Sequence, residues 1–148
     1  MSMYFDVGDE TLWNPSNGAG RLFLRHIEIY EAELGLPSGI GQGRHWGDPD
    51  TLEVDPVAYE EFVRGLVAWH RGQSHSVLRT LSEGFAATAL ALARRAGIDG
   101  EPPAPQTAHA PDGARHDQQV PAGPRTTPSA VTEALDARAR ELDRRMPR

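Results

Sequence analysis

"DPVAYEEFVRGLVAWHRGQSHSVLRTLSEGFAATALALARRAGI", Asp55 to Ile98, is the stretch on which the fold turns. Asp55 before Pro56 is a strong helix start, since aspartate caps the free N–H groups of a first turn and proline at the first helical position has none to leave unpaired. Behind it Tyr59, Phe62, Val63, Leu66, Val67 and His70 recur at the helical repeat, and Val77, Leu81, Phe85, Thr88 and Leu92 continue in phase. Read without interruption, this is one helix of about 40 residues and about 60 Å. The run Arg71-Gly72-Gln73-Ser74 offers a break, because glycine weakens a helix and serine can cap a new one. The spacing predicts two helices, over 56–71 and 74–97, with one long helix completed by a second subunit as the alternative.

Upstream, Phe23, Ile27, Tyr30 and Leu34 mark the apolar face of a helix over 17–34, widened by Leu22, His26 and Ile29. Gly35 ends that helix and Pro37 prevents its resumption. Two short apolar runs around Gly8-Asp9 read as a β-hairpin, and Thr51–Val54 alternates as a further strand would. The stretch between Gly35 and Asp50, rich in glycine, reads as a long loop.

The segment "LWNPSNGAGRLFLRH", Leu12 to His26, places a turn-rich run before the first helix. Backbone N–H groups at such a start can hold an anion, with Asn14, Asn17, Arg21 and Arg25 as side-chain contacts and Trp46 of the glycine loop closing over them. The Walker and dinucleotide spacings are both absent, and Asn14, Ser16 and Asn17 serve equally as helix caps. No catalytic residue is assigned, because no Gly-x-Ser-x-Gly elbow exposes a serine and the chain has no cysteine. No metal or cofactor is assigned either. His70 and His75 lie about 140° apart on a helix, which is wrong for shared ligation, and a set drawn from His26, His70 and Glu33 is the one alternative. Gly65 and Gly72 read as helix-weakening residues on a polar face, and Gly84 as a packing residue.

Between Asp99 and Pro128 there are seven prolines, and Val120 is the only large aliphatic residue. Such a segment buries too little apolar surface to offset the entropy of ordering, so 99–128 is expected to be a disordered linker. Beyond it, 129–148 repeats a thin apolar stripe through Val131, Leu135, Leu142 and Met146, too narrow to support a helix alone, which reads as an isolated amphipathic helix that either docks or frays. The expected architecture is mainly α: a three-helix domain, or a long-helix hairpin, over 1–98 with a short N-terminal β-hairpin, then the linker, then the C-terminal helix.

The fifteen basic residues are all arginine, against twenty-one acids, for a net charge of −6. An acidic chain is a poor electrostatic match to nucleic acid, although Arg64, Arg71 and Arg79 fall near one another on a helix. Charge is divided: residues 1–61 carry twelve acids and three arginines, while 62–98 carry one acid and five arginines, so the two halves are suited to pack together. No run approaches the roughly 18 apolar residues of a membrane span, and the start lacks a leader pattern, which leads to the expectation of a cytoplasmic protein.

Taken together, "YFDVGDETLWNPSNGAGRLFLRHIEIYEAELGLPSGIG", "DPVAYEEFV" and "LSEGFAATALALARRAGI" resemble a family of small actinobacterial proteins carried as a domain of unknown function. The resemblance covers residues 3–98, leaves the tail outside, and implies a high-GC bacterial source and a compact domain with no known activity. A helical hairpin with tryptophan and glycine between its helices is also similar to WXG-type proteins, though His45-Trp46-Gly47-Asp48 lacks the intervening residue. The expected function is a non-catalytic helical interaction module, pairing with itself or with another protein. The alternative is a binder of, or enzyme acting on, a nucleotide or phosphosugar through Asn14–Arg25.

Overall fold

A computed structural model of the chain describes residues 2–42, 50–98 and 128–148. The glycine-rich segment with His45 and Trp46, and the proline-rich segment read as a disordered linker, lie outside the described residues.

The chain is mostly helical with an N-terminal strand pair, β1 (Tyr4–Val7) and β2 (Glu10–Trp13), turned at Gly8 with φ of 58°. α1 (Asn17–Leu34) follows, with Ser16 accepting from the Ala19 N–H at its start and Gly35 in the left-handed conformation at its end. After β3 (Ile40–Gln42) and β4 (Thr51–Val54) come α2 (Pro56–Gly72), α3 (Ser76–Arg95) and α4 (Pro128–Arg145). Asp55 caps α2 as its sequence requires, its carboxylate accepting from the Val57 N–H at 3.0 Å.

Beyond the hairpin, the strands form a four-stranded sheet in the order β2-β1-β4-β3. β4 lies parallel to β1, and β3 pairs with β4 in the antiparallel sense. The glycine-rich loop therefore contains a strand that its composition conceals, Ile40–Gln42, which lacks the alternation of apolar side chains that marks strands. Ser38, fully buried, fixes the turn ahead of it: its N–H and hydroxyl both donate to the Glu31 carboxylate, at 2.7 and 2.6 Å.

The long apolar segment is broken at Gln73–His75, and α2 and α3 form an antiparallel hairpin. Tyr59 near the start of α2 donates to the Ala89 carbonyl at 3.1 Å, and His70 near its end meets Ser82. α3 begins two residues later than Ser74 and has no side-chain cap. An aromatic ladder joins sheet to helices. Phe5 and Trp13 stack at 5.2 Å, both meet Phe23, and Phe23 and Tyr30 of α1 sit 5.4 and 4.8 Å from Phe85 of α3.

Two glycine readings reverse. Gly65 is a close-approach position, since a Cβ there would stand 2.7 Å from the Leu36 side chain, whereas Gly84 has open space beside it. Leu22 and Ile29, read as widening the buried face of α1, are instead 57% and 60% exposed, because the ladder through Phe23 and Tyr30 fixes that face toward α3.

Of the two fates open to the C-terminal helix, docking or fraying, the structure has it seated on α3. Val131, Leu135 and Ala139 are buried, and Leu142 and Met146 are partly so. What its thin stripe lacks in apolar area is supplied by polar clasps from the arginine-rich segment. Arg71 donates to Thr132, Arg94 pairs with Asp136 at 2.6 Å, and Arg95 pairs with Asp143. Its first turns lie beside Ser76–Glu83 and its last beside Gly84–Thr88, so α4 runs in the same sense as α3.

Candidate functional site

Two cavities adjoin α3. The first, about 300 Å³, opens between α1 and α3 and is lined by Trp13, Leu22, His26, Gly84, Phe85 and Thr88, with Leu142 and Met146 of α4 at one end. Its walls are almost wholly apolar. His26 stacks on Phe85 at 5.4 Å and its Nδ1 bonds the Leu22 carbonyl at 2.8 Å, so Nδ1 carries the proton. Thr88 donates to the Gly84 carbonyl within its own helix. Gly84 keeps the cavity open, for any side chain there would enter it. Few polar atoms are left to hold a ligand in one orientation, which a small-molecule site requires.

By helical phase, further apolar side chains fall in line with the walls of that cavity. Ile29 stands two turns beyond Leu22 on the same flank of α1, and Leu81 and Val77 lie one and two turns before Phe85 on the facing flank of α3. All are exposed, Leu81 by 70%. This is the surplus of the Tyr59–Leu92 stripe: α1 covers Phe85, and the turns of α3 before it stay open.

The second cavity, about 240 Å³, lies among α2, α3 and α4 and is lined by His70, Ser76, Arg79, Thr80 and Glu83 under a roof that includes Val131 and Leu135. His70 and Ser82 are buried, and the ring Nδ1 lies 2.7 Å from the Ser82 Oγ. Ser82 donates in turn to the Arg79 carbonyl at 3.2 Å. The consistent assignment has His70 Nδ1–H donating to the Ser82 Oγ, whose own proton goes to the Arg79 carbonyl. The pair thus has the residue types of a nucleophile and its base, but Ser82 is fully buried and its proton is committed to a carbonyl, so it acts as a junction of the core. Burial raises the Tyr30 phenol above its ordinary pKa, with Ser82 opposing and Glu33 adding to the rise.

Burial lowers the His70 pKa from its ordinary value; Glu83 acts against that shift and Arg79 with it. Folding therefore favours neutral His70. Its contribution to stability is complete above about pH 6.5, the unfolded value, and is lost as pH falls through the lower folded value. Urea midpoints are expected to fall between about pH 7 and pH 5 by more in the wild type than in His70→Gln, which does not titrate. Equal slopes in the two proteins would show that His70 is not held neutral by the fold.

The residues expected at the α1 start do not converge. Ser16, not Asn14 or Asn17, caps the helix. The Oδ1 atoms of Asn14 and Asn17 are buried without a hydrogen-bond partner, and as acceptors they suit a donor rather than an anion. The Asn14 N–H is taken by the Pro147 carbonyl at 3.0 Å. Gly20 serves packing, since a Cβ there would stand 2.6 Å from the Met3 sulfur. Arg21 and Arg25 are exposed and, by helical phase, face away from Phe23 and the cavity. Trp46 lies outside the described residues. Nor do the three helix arginines form one patch, for Arg64 pairs with Glu60 at 2.6 Å and Arg71 is held by Thr132.

Among the described residues no group of three or more histidine, aspartate or glutamate side chains is placed to hold a metal ion, and no helix is long and apolar enough to cross a membrane. The chain belongs to a family of unknown function, DUF6086, which it matches over residues 1–148. The match takes in the tail that the resemblance over 3–98 left outside. No curated protein and no solved structure matches the chain.

Proposed function

From membership in a family that brings no activity with it, we propose that the chain is a helical interaction module that pairs with a second copy of itself through the α1/α3 face. The observation that supports this reading is the set of exposed apolar side chains, Leu22 and Ile29 on α1 and Leu81 on α3, with Leu22 lining a shallow cavity beside Phe85. Contiguous apolar surface of this kind is the usual mark of an interaction site, whereas scattered single residues are not.

The magnitudes set the affinity to look for. Completing the burial of each half-exposed side chain contributes about 1 kcal/mol. Six such chains across a two-fold interface give roughly 6 kcal/mol, before neighbouring contacts are added, against a cost of association of about 4 kcal/mol or more. Pairing is therefore weak, and sedimentation velocity should be carried to high micromolar concentration. A rising average mass is expected for the wild type, with Leu22→Asp and Leu81→Asp held monomeric throughout. A wild type that stays monomeric, or variants that still associate, would refute the proposal.

A further inference from the structure

We propose that the cavity among α2, α3 and α4 is a binding site for a free α-amino acid with an apolar side chain, received while α4 stays in its seat. This goes beyond the α1/α3 face and does not rest on self-association. The walls are divided by chemistry. Every lining residue from α3 is polar, Ser76, Arg79, Thr80 and Glu83, and every one from α4 is apolar, Ala130, Val131, Ala134 and Leu135. A slot of that kind suits a molecule with a charged edge and an apolar body. At about 240 Å³ it has the volume of about eight waters, so the molecule is small.

Two opposite charges in the slot are unsatisfied. Arg79 and Glu83 stand one helical turn apart, and both act electrostatically on His70. Among the described residues neither forms an ion pair, with the other or elsewhere. Arginine ahead of glutamate is the poorer order for a pair at this spacing, which leaves both groups to a ligand. Their charges cancel, so the slot matches a zwitterion better than a simple anion or cation. His70 adds direction. It is 3% exposed, its Nδ1–H is spent on Ser82, and its Nε2 is an acceptor with no partner among the described residues, on a ring that lines the cavity. An unmet buried acceptor is costly, and a ligand that brings a donor removes the cost.

These groups sort the atoms of the ligand. Its ammonium donates to His70 Nε2 and the Glu83 carboxylate. Its carboxylate accepts from Arg79, whose planar fork suits two parallel bonds. Thr80 already donates to the Ser76 carbonyl at 3.0 Å, so its oxygen is left to accept from the same ammonium. The side chain lies on Val131 and Leu135. Entry requires no movement of α4, since Ser76, Thr80 and Glu83 are exposed at the mouth.

Isothermal titration calorimetry of the full-length protein with L-leucine tests the proposal, beside 3-methylbutylamine, which lacks the carboxylate, and 4-methylpentanoate, which lacks the ammonium. L-Leucine is expected to bind with a dissociation constant below about 1 mM, a reasonable scale for about nine non-hydrogen atoms, and each analogue at least tenfold more weakly. Arg79→Gln is expected to abolish the preference for L-leucine over 3-methylbutylamine, and Glu83→Gln the preference over 4-methylpentanoate. Both substitutions act at the mouth of the cavity and leave the core intact, which circular dichroism checks. A dissociation constant for L-leucine above 1 mM, an analogue that binds as tightly as L-leucine, or variants that keep both preferences would each overturn the proposal.

Discussion

Phe85→Ala is expected to lower the stability of the domain by about 3 kcal/mol, the lower end of the range for a buried phenylalanine. The ring is the hub at which the sheet-side aromatics meet the helices. Phe23, His26 and Tyr30 all pack on it at 4.8 to 5.4 Å, and Trp69 is joined through Tyr30. Aromatic pairs contribute about 0.5 to 1.5 kcal/mol each beyond their buried area, so losing three contacts at once is a large local deficit. The cavity term is smaller than usual. Phe85 already borders the open space between α1 and α3, so water can enter the void instead of leaving it empty. Against a total stability of about 5 to 15 kcal/mol this loss is severe, and urea denaturation measures it. Val57→Ala, at a side chain 77% exposed, is the control and should change stability by less than about 0.5 kcal/mol. Equal effects of the two substitutions would show that the ladder does not hold the helices together.

Arg95→Ala is expected to detach α4 while leaving the first three helices folded. Arg95 is the most heavily used side chain at the seat. Its guanidinium pairs with the Asp143 carboxylate and donates to the carbonyls of Asp143 and Met146, and it reaches the Leu12 carbonyl of β2 at 2.8 Å. One planar group thus closes the end of α4 onto both α3 and the sheet, and its side chain is only 8% exposed. Hydrogen bonds from a charged donor are worth about 1.5 to 3 kcal/mol, and removing the donor strands carbonyls at a helix end that has few other partners. The seat is expected to lose roughly 2 to 4 kcal/mol, comparable with all that three buried side chains supply. Lysine cannot replace arginine here, because a single ammonium does not reproduce the fork that serves a carboxylate and several carbonyls together. Amide exchange should rise across Val131–Met146 in both Arg95→Ala and Arg95→Lys, with Phe62–Val67 unchanged. Unchanged protection in α4 would mean that the apolar stripe alone holds it.

The helices were legible in the sequence because their signals are local. Asp55-Pro56 and Gly35 act within one turn, and the breaks fall where glycine and serine weaken the ladder of backbone bonds. β3 was not legible, since Ile40-Gly41-Gln42 becomes a strand only by pairing with Leu52–Val54, a non-local event. Whether α4 docks or frays was left open by the sequence for a related reason. Its stripe is too thin to forecast burial, and the arginines that complete the seat are distant in the chain and look like ordinary solvated charges. The His70–Ser82 junction could have been found: folding the hairpin at 73–75 brings the end of α2 back against the start of α3. The residues at Asn14–Arg25 are ambiguous in sequence, because a turn built for capping and for close packing at Gly20 uses the same residue types as an anion site.

Amide NMR of the wild type on serial dilution, from high micromolar downward, offers the most direct view of the α1/α3 face. Shifts concentrated in Leu22–Ile29 and Val77–Thr88, moving together along one binding curve, are the expected result. Spectra that do not change with concentration, or changes confined to the sheet or to the outer side of α2, would show that the exposed leucines are not a meeting surface.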